Sequence, residues 1–150
     1  MNDRAGRKIH QSGVIPLRTV SDGLEVLLIT TSDGRRWSIP KGTIEPDLTP
    51  AESAAKEAWE EAGVRGSVDP SPVGEYCYDK SGRVYRFVVF RLEVAEELDA
   101  WPEQHFRRRQ WVSLAEALVR VKLDSLRSLL QSFIPSTGSS RPATADSDAS

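Results

Sequence analysis

The chain has 150 residues, of which 39% are hydrophobic, and its formal net charge is −2. This length fits one domain, and with its glycines the chain reaches the apolar share of an ordinary globular protein. The near balance of charge excludes a general nucleic-acid binder, since such domains carry a strong basic excess. The longest purely apolar runs have four residues, against about 20 in a membrane-spanning helix, so we expect no membrane partner.

Apolar periods and turn residues mark the predicted elements. In chain order the sequence predicts strands over residues 13–17 and 24–31, an extended piece at 37–39, a helix over 50–62, strands over 74–79, 84–94 and 110–112, and helices over 114–120 and 123–133. The loop Lys80-Ser81-Gly82-Arg83 predicts a hairpin between two of these strands. Because strands and helices alternate, we expect an α/β (α+β) fold with a sheet sandwiched between helices.

The helix over residues 50–62 has the clearest boundaries. Thr49 stands at the N-cap, Pro50 at the first helical position, and Glu52 three residues after the cap, which is the pattern of a capping box. The alanine-rich run that follows stops at Gly63, the residue type most often found just beyond a helix C-terminus.

The chain ends and the cysteine content predict the domain bounds and the compartment. Residues 1–8 have no apolar period and predict a flexible N-terminus, and residues 135–150 have no leucine, isoleucine, valine or aromatic residue, so they predict a disordered tail. The folded domain then spans 9–134. Cys77 has no cysteine partner and the N-terminus lacks a signal-peptide core, which together predict a cytoplasmic location.

Three carboxylates crowd one face of the predicted helix. Glu57, Glu60 and Glu61 stand at positions i, i+3 and i+4, with Lys56 beside them. One interpretation is a solvated surface, partly neutralised by Glu52–Lys56 and Lys56–Glu60 pairs, and the spacing alone favours it. The other is a divalent-metal site, in which a hard cation removes the repulsion between carboxylates.

The segment that precedes the helix changes this balance. After WSIPK, residues 42–63 read GTIEPDLTPAESAAKEAWEEAG. This run resembles the Nudix box, G-x5-E-x7-R-E-U-x-E-E-x-G-U, where U is apolar. Six positions match with their spacing intact, and Ala58 stands at the first U: Gly42, Glu57, Glu60, Glu61, Gly63 and Val64. A match of this length on a predicted loop and helix is far more specific than a lone glycine motif.

Two residues depart from the box. Leu48 occupies a glutamate position and Lys56 the arginine position. Lys56 keeps the charge but lacks the planar fork of a guanidinium, which orients neighbouring carboxylates. The metal-binding trio is intact, and a degraded site in a domain that only senses its ligand is the alternative of another class.

The resemblance implies a fold, a reaction and roles. It implies the Nudix fold, a mixed β-sheet sandwiched between α-helices, and hydrolysis of a diphosphate linked to another group with Mg²⁺ or Mn²⁺. Glu57, Glu61 and the main-chain carbonyl of Lys41 would hold the metal, and Glu60 would be the general base. The division of roles among the three glutamates stays open.

Further segments resemble the diphosphoinositol polyphosphate phosphohydrolase group within this family. They are RWSIPKG at 36–42, EEAGVRG at 60–66 and RRRQW at 107–111. The resemblance implies a polyanionic small-molecule substrate, such as a diphosphoinositol polyphosphate or a diadenosine polyphosphate, because arginine and lysine bind phosphate well. The predicted substrate-binding residues are Arg36, with Arg35 beside it, and Lys80, Arg83, Arg86, Arg107, Arg108 and Arg109.

Other interpretations remain at this stage. The cations at Arg35, Arg36 and residues 80–86 would equally suit a solvated turn and a charged strand edge. ADP-ribose, a nucleoside diphosphate sugar or a deoxynucleoside triphosphate is the alternative substrate, although no aromatic sandwich for a base is evident. The four tryptophans are expected to be core or loop anchors: Trp37, Trp59, Trp101 and Trp111. The oligomeric state, monomer or homodimer, stays open, as does Mg²⁺ against Mn²⁺.

Overall fold

The structure is a computed structural model that describes residues 8–138, with side chains to residue 132. It contains one eight-stranded mixed sheet. The strands are β1 Lys8–Val20, β2 Gly23–Thr30, β3 Trp37–Ser38, β4 Lys41–Thr43, β5 Val64–Val68, β6 Gly74–Lys80, β7 Arg83–Glu97 and β8 Arg109–Ser113. The helices are α1 Pro50–Glu57, a π-helical turn Ala58–Ala62 that continues it, α2 Leu114–Arg120 and α3 Asp124–Gly138. The predicted fold class is confirmed.

Strand β1 organises the sheet. It runs parallel to β7 in the register Lys8↔Val84 to Leu17↔Glu93 and antiparallel to β2, which makes the sheet mixed. The main order is β3-β2-β1-β7-β5, while β4 pairs with β1, β6 with β7 and β8 with β2. Because Gly13 pairs with Lys41, β4 holds the start of the glycine segment against the centre of the sheet.

Both faces of the sheet are covered by helices. Val14 and Ile15 are fully buried and, as neighbours on a strand, point to opposite faces. One face packs against α2 and α3, with Leu126 and Leu130 in its core. The other packs against α1 through alanines, including Ala58. The small alanine side chains let the helix that carries the acidic residues lie close to the sheet.

The predicted helix over residues 50–62 has two geometries. The Thr49 side chain accepts a hydrogen bond from the Glu52 N–H, and the Glu52 carboxylate accepts one from the Thr49 N–H, so the capping box is confirmed. The first eight residues are α-helical and the last five are π-helical, with the Gly63 N–H donating to the carbonyls of both Ala58 and Trp59. Gly63 has φ 68°, a left-handed conformation that favours glycine, as the sequence predicted.

Two short strands have no counterpart in the sequence prediction. β4 and β5 are three and five residues long and contain a glycine each, so they lack a strand period. These segments are extended because they pair with longer strands. β4 pairs antiparallel with β1, and β5 pairs antiparallel with β7, with a register shift between Arg65 and Gly66.

The hairpin forms where the sequence predicts it, whereas the first strand and the last helix extend beyond the predicted domain bounds. Lys80 pairs with Arg83 across the predicted turn, where Ser81 and Gly82 have positive φ angles. Lys8 begins β1, and α3 continues to Gly138, past the predicted domain end at residue 134. The rest of the predicted flexible N-terminus and of the predicted disordered tail lies outside the described residues.

Candidate functional site

Gly42 and Glu57 are in direct contact, and this explains why the box begins with a glycine. A Cβ atom on Gly42 would collide with the Glu57 carboxylate. The approach is possible because β4 is paired to β1 and α1 packs on the same part of the sheet. The spacing of 15 residues between the two positions therefore corresponds to a loop that returns the helix to β4.

Glu57 and Glu61 form a carboxyl pair next to β4. Glu61 is buried, and its Oε1 accepts a hydrogen bond of 3.1 Å from the Lys41 N–H. Burial raises the pKa of Glu57 to about 8, helped by the hydrogen-bonded Glu61 and by the charges of Glu60 and Glu103. Burial also raises the pKa of Glu61, against the opposing charge of Arg107. Two carboxyl groups this close share a proton unless a cation lies between them.

The pair fits the predicted divalent cation. Within residues 8–138, no three Asp, Glu, His or Cys side chains form a complete metal cluster. Glu57 and Glu61 would therefore supply two oxygens, and main-chain, water and substrate oxygens the rest, which is how Mg²⁺ is usually held. The Lys41 main chain already contacts the pair through its N–H. Burial lowers the pKa of the Lys41 ammonium, while the charge of Glu61 opposes this shift.

Glu60 lies beside the pair rather than in it. Its Oε2 is 3.8 Å from the Lys56 Nζ, and its main-chain carbonyl accepts a hydrogen bond from the Glu103 N–H. Lys56 makes a shorter ion pair, 2.7 Å, with Glu45. Of the two pairs expected for a solvated face, Lys56–Glu60 is present, whereas Glu52 is engaged in the capping box.

A basic cleft of about 230 Å³ adjoins the carboxyl pair. Its cationic lining comes from separate parts of the chain: Arg36, Lys41, Lys80, Arg107 and Lys122. Aromatic rings line it as well: Trp37, Tyr76, Tyr78 and Phe87. The structure thus brings together three of the predicted substrate-binding residues. It also places aromatic rings where the sequence indicated none.

Arg107 connects the cleft with the carboxyl pair. Its Nη2 lies 3.4 Å from Glu61 Oε2, its Nε donates to Glu103 at 2.7 Å, and its Nη1 donates to the Thr30 carbonyl. Its side chain is 12% exposed, so these contacts hold the guanidinium in place. Arg107 is the member of the arginine run best placed to contact a phosphate near the metal.

The other predicted cations do not line the cleft. Arg86 forms an ion pair of 2.6 Å with Glu75, and Arg83 lies at the turn that follows Lys80. Arg108 lies 5.7 Å from the centre of the Trp37 ring, at the edge of the cleft. Arg35 belongs to a turn in which its N–H donates to Asp33.

Arg109 is directed to a helix end instead of to a substrate. Its guanidinium donates to the main-chain carbonyls of Ala62 and Leu98, at 2.8 and 2.7 Å, and stacks 3.9 Å from the centre of the Trp101 ring. With Glu97 3.5 Å from its Nε, the guanidinium has protein partners for all three of its nitrogens, so we remove Arg109 from the predicted substrate-binding set.

Three residues of the site carry no motif that the sequence analysis used. Lys122 lies in the linker between α2 and α3, and Glu103 lies in the loop before the arginine run. Tyr76 has a buried hydroxyl without a hydrogen-bond partner in the structure, and burial raises its pKa, so it stays a donor. Of these three residues, Glu103 alone had a signal in the sequence, because an acidic residue four positions before Arg107 is suited to pair with it.

Known proteins are similar to this chain in sequence. Nudix hydrolase 13, mitochondrial, of Arabidopsis thaliana is 36% identical over 145 residues, which cover 82% of this chain and 72% of that protein. Diphosphoinositol polyphosphate phosphohydrolase 3-beta of Homo sapiens is 33% identical over 135 residues, covering 83% and 80%. The chain spans less than two thirds of the length of several other Arabidopsis relatives.

Solved structures share the fold. The Ap4A hydrolase binary complex from C. elegans matches with a TM-score of 0.68 at 20% identity, over 84% of this chain and 95% of that one. Within the described part of the chain, no helix has the length and apolar character needed to span a membrane. The NUDIX domain family model matches residues 10–135. With this match and relatives above 30% identity, the chain belongs to the Nudix family.

Proposed function

We propose that this protein hydrolyses a phosphoanhydride bond in a polyphosphorylated small molecule, with Mg²⁺ or Mn²⁺ as the cofactor. The observation that carries the proposal is the pairing of half-buried Glu57 with buried Glu61 next to a basic cleft, where Arg107 lines the cleft and contacts Glu61. Nudix hydrolases generally use divalent cations, and a buried carboxyl pair is a strong ligand for one.

The proposed roles follow from the contacts. Glu57, Glu61 and the Lys41 carbonyl hold the cation, which when bound polarises phosphoryl oxygens and acidifies a water. Glu60 accepts the proton of the attacking water, and its ion pair with Lys56 limits its rotamers. Arg107 neutralises charge on the phosphate nearest the carboxyl pair. Tyr76 lines the cleft, and its hydroxyl, which has no partner in the structure, donates a hydrogen bond to a substrate oxygen.

The proposed substrate class follows from the charge of the cleft. Arg36, Lys80 and Lys122 are exposed at its rim, where they would bind phosphates distant from the metal. Diphosphoinositol polyphosphates carry such phosphates, and the human relative is named for them. The aromatic lining gives specific support to a second candidate, the diadenosine polyphosphates, because Trp37 and Tyr78 line the cleft and a base packs well against aromatic side chains.

One screen tests the proposed function. The full chain is incubated with a diphosphoinositol polyphosphate, a diadenosine polyphosphate, ADP-ribose and a deoxynucleoside triphosphate, with Mg²⁺, Mn²⁺ or EDTA. We expect metal-dependent turnover of the first two and loss of turnover in Glu57→Gln. Preferential turnover of ADP-ribose or of the triphosphate would replace the substrate assignment, and binding without turnover would favour the ligand-sensing alternative.

The proposed location is the cytoplasm, because a chain with a single cysteine is typical of proteins in a reducing compartment. Several Arabidopsis relatives are named as mitochondrial or chloroplastic, which describes those proteins. Fractionation of cells that express the tagged chain distinguishes the compartments.

A further inference from the structure

One segment of the chain caps the whole end of the acidic helix. Four consecutive carbonyls, those of residues 60–63, accept hydrogen bonds from residues 98–109, which we call the strap. The donors are the Glu103 N–H to Glu60, the Trp101 Nε1–H to Glu61 at 3.0 Å, the Arg109 guanidinium to Ala62 at 2.8 Å, and the Leu98 N–H to Gly63 at 2.8 Å. The carbonyls that a helix end ordinarily leaves to water therefore all have protein partners.

Two side chains of the strap, Trp101 and Arg109, interlock with Gly63. A Cβ atom on Gly63 would lie 2.7 Å from an Arg109 nitrogen and 2.9 Å from the Trp101 ring. The guanidinium stacks on that ring and brings a positive charge to the negative end of the helix. The packing therefore leaves no space for a side chain at the end of the π-helical turn.

The strap also holds the carboxylate side of the turn. Trp101 binds the main-chain carbonyl of Glu61, and Arg107 lies against the Glu61 carboxylate. Glu103, on the same strap, binds Arg107 at 2.7 Å and its charge reaches Glu57. Glu61 is therefore fixed at its backbone and at its side chain by one segment.

We propose that Trp101 and Arg109 are positioning residues for metal binding, an inference that rests on the proposed role of Glu61. π-Helical turns are rare and poorly favoured geometries that persist where surroundings hold them. Without the two donors, the turn is free to relax towards α-helical geometry, which rotates Glu61 relative to Glu57. The pair then no longer presents two oxygens to one cation. Trp101 is thus more than the loop anchor that the sequence indicated.

The test measures Mn²⁺ binding to the full chain, with the free ion quantified by electron paramagnetic resonance. Trp101→Phe keeps an aromatic ring and loses the N–H donor. Trp111→Phe is the matched control for the loss of an indole N–H, since that indole donates to the Glu97 side chain and to no carbonyl of residues 60–63. The other oxygen of Glu97 lies 3.5 Å from the Arg109 Nε, so the control also reports what this ion pair contributes. We expect Trp101→Phe to weaken Mn²⁺ binding about tenfold, the low end of the effects of removing groups that orient ligands, and Trp111→Phe to leave it unchanged.

Two further measurements separate positioning from general stability. Arg109→Lys keeps the charge, but one ammonium cannot reproduce the fork that reaches Ala62 and Leu98, so Mn²⁺ binding weakens here too. Amide hydrogen exchange over residues 58–66 accelerates in both variants. Substrate kcat falls while KM stays within about twofold, because the cleft is untouched.

Each outcome is decisive. Wild-type protein that binds no Mn²⁺ contradicts the proposed function itself. Wild-type binding with both variants within twofold of it, whatever the change in Tm, overturns the positioning role alone. If Trp101→Phe does not fold, the Mn²⁺ affinity of Arg109→Lys decides.

Discussion

The carboxyl pair and the basic cleft lie side by side, but the chain holds them in opposite ways. Glu61 is buried, and its backbone, its carboxylate and its neighbour Glu57 are each fixed by named contacts. Arg36 and Lys122 are exposed side chains on loops, and Lys80 is exposed at the end of a strand. The carboxyl pair is therefore built for one geometry, whereas the cations of the rim can adapt to different arrangements of phosphate.

This difference predicts that changes at the pair act on rate and metal, and that changes at the rim act on substrate affinity. The largest expected effect is that of Glu60→Gln, which keeps the size of the side chain and removes the proton acceptor. Turnover should fall by about 10²–10⁴-fold with little change in Tm. Initial rates at saturating metal measure it, and Glu96→Gln, at an exposed glutamate that pairs with Arg65, is the matched control. A Glu60→Gln rate within threefold of wild type would assign the base elsewhere.

Gly42→Ala tests whether the pair tolerates any displacement. The added methyl group meets the Glu57 carboxylate, so we expect Mn²⁺ affinity to fall by about 10–100-fold and unfolding to become easier by about 1–3 kcal/mol. In a Glu57→Ala background the same substitution should cost little stability, because its obstacle is gone. Equal destabilisation in the two backgrounds would mean that Gly42 serves the turn rather than the carboxylate.

Charge reversal at the rim tests the adaptable half of the site. Lys122→Glu should lower kcat/KM for polyphosphates by about tenfold, the equivalent of one phosphate contact in a partly screened setting. It should affect ADP-ribose much less. Arg83→Glu, on the hairpin but outside the cleft lining, is the control.

Salt sharpens the same experiment. The preference of wild-type protein for polyphosphates should shrink between 0.1 and 1 M salt, as the Debye length falls from about 10 to 3 Å. If ADP-ribose is the better substrate and both charge reversals act equally on all substrates, the polyphosphate assignment fails.

The arginine run illustrates how far the sequence could predict the site. Three consecutive basic residues indicated phosphate contact, but neighbouring side chains on extended backbone point in opposite directions. Arg107 and Arg109 turn towards the acidic helix and Arg108 towards Trp37. The pattern identified the charge correctly, and the direction of each side chain depended on pairing that only the fold provides.

The Nudix box was predictable because its residue types stand at a fixed spacing along one continuous segment. The capping box, the end at Gly63 and the three glutamates all lie on one local element, whose geometry follows from its own residues. Lys122 and Tyr76 line the cleft from different elements, and their meeting depends on how α2, α3 and β6 pack. Glu103 joins the site through its ion pair with Arg107. No local pattern reports such long-range proximity, and the π-helical turn depends on the strap in the same way.

The raised pKa of Glu57 predicts a smaller effect, a pH dependence of stability that comes from the carboxyl pair and not from the cations of the rim. Its folded pKa of about 8 lies above its ordinary value of 4.5, so between these pH values the folded state binds more protons than the unfolded state. Its contribution to stability is therefore complete below pH 4.5 and is lost as the pH rises to about 8. The Tm of the metal-free protein should fall over this range more steeply than that of Glu57→Gln.

Divalent metal should reverse this pH dependence, because the cation competes with the shared proton. The rise in Tm on adding Mg²⁺ should be larger at pH 8 than at pH 6 in wild type, and near zero at both in Glu57→Gln. Equal Mg²⁺ effects at the two pH values would show that the pair is already ionised without metal.

Leu48→Glu should have the smallest effect, because Lys56, the cation at the arginine position of the box, already has a carboxylate partner. Lys56 binds Glu45 at 2.7 Å, and the half-buried Leu48 hydrogen-bonds through its backbone to the Glu45 carbonyl. A glutamate at position 48 would compete with an existing partner, so metal-dependent activity should stay within about tenfold of wild type. Leu48→Gln controls for the loss of the leucine side chain. A gain far above tenfold in Leu48→Glu, absent from Leu48→Gln, would mean that the natural site is impaired and would favour the ligand-sensing alternative. An unchanged rate in both means that Glu45 has taken over the neutralising role, and Glu45→Gln should then lower the rate more than either substitution at position 48.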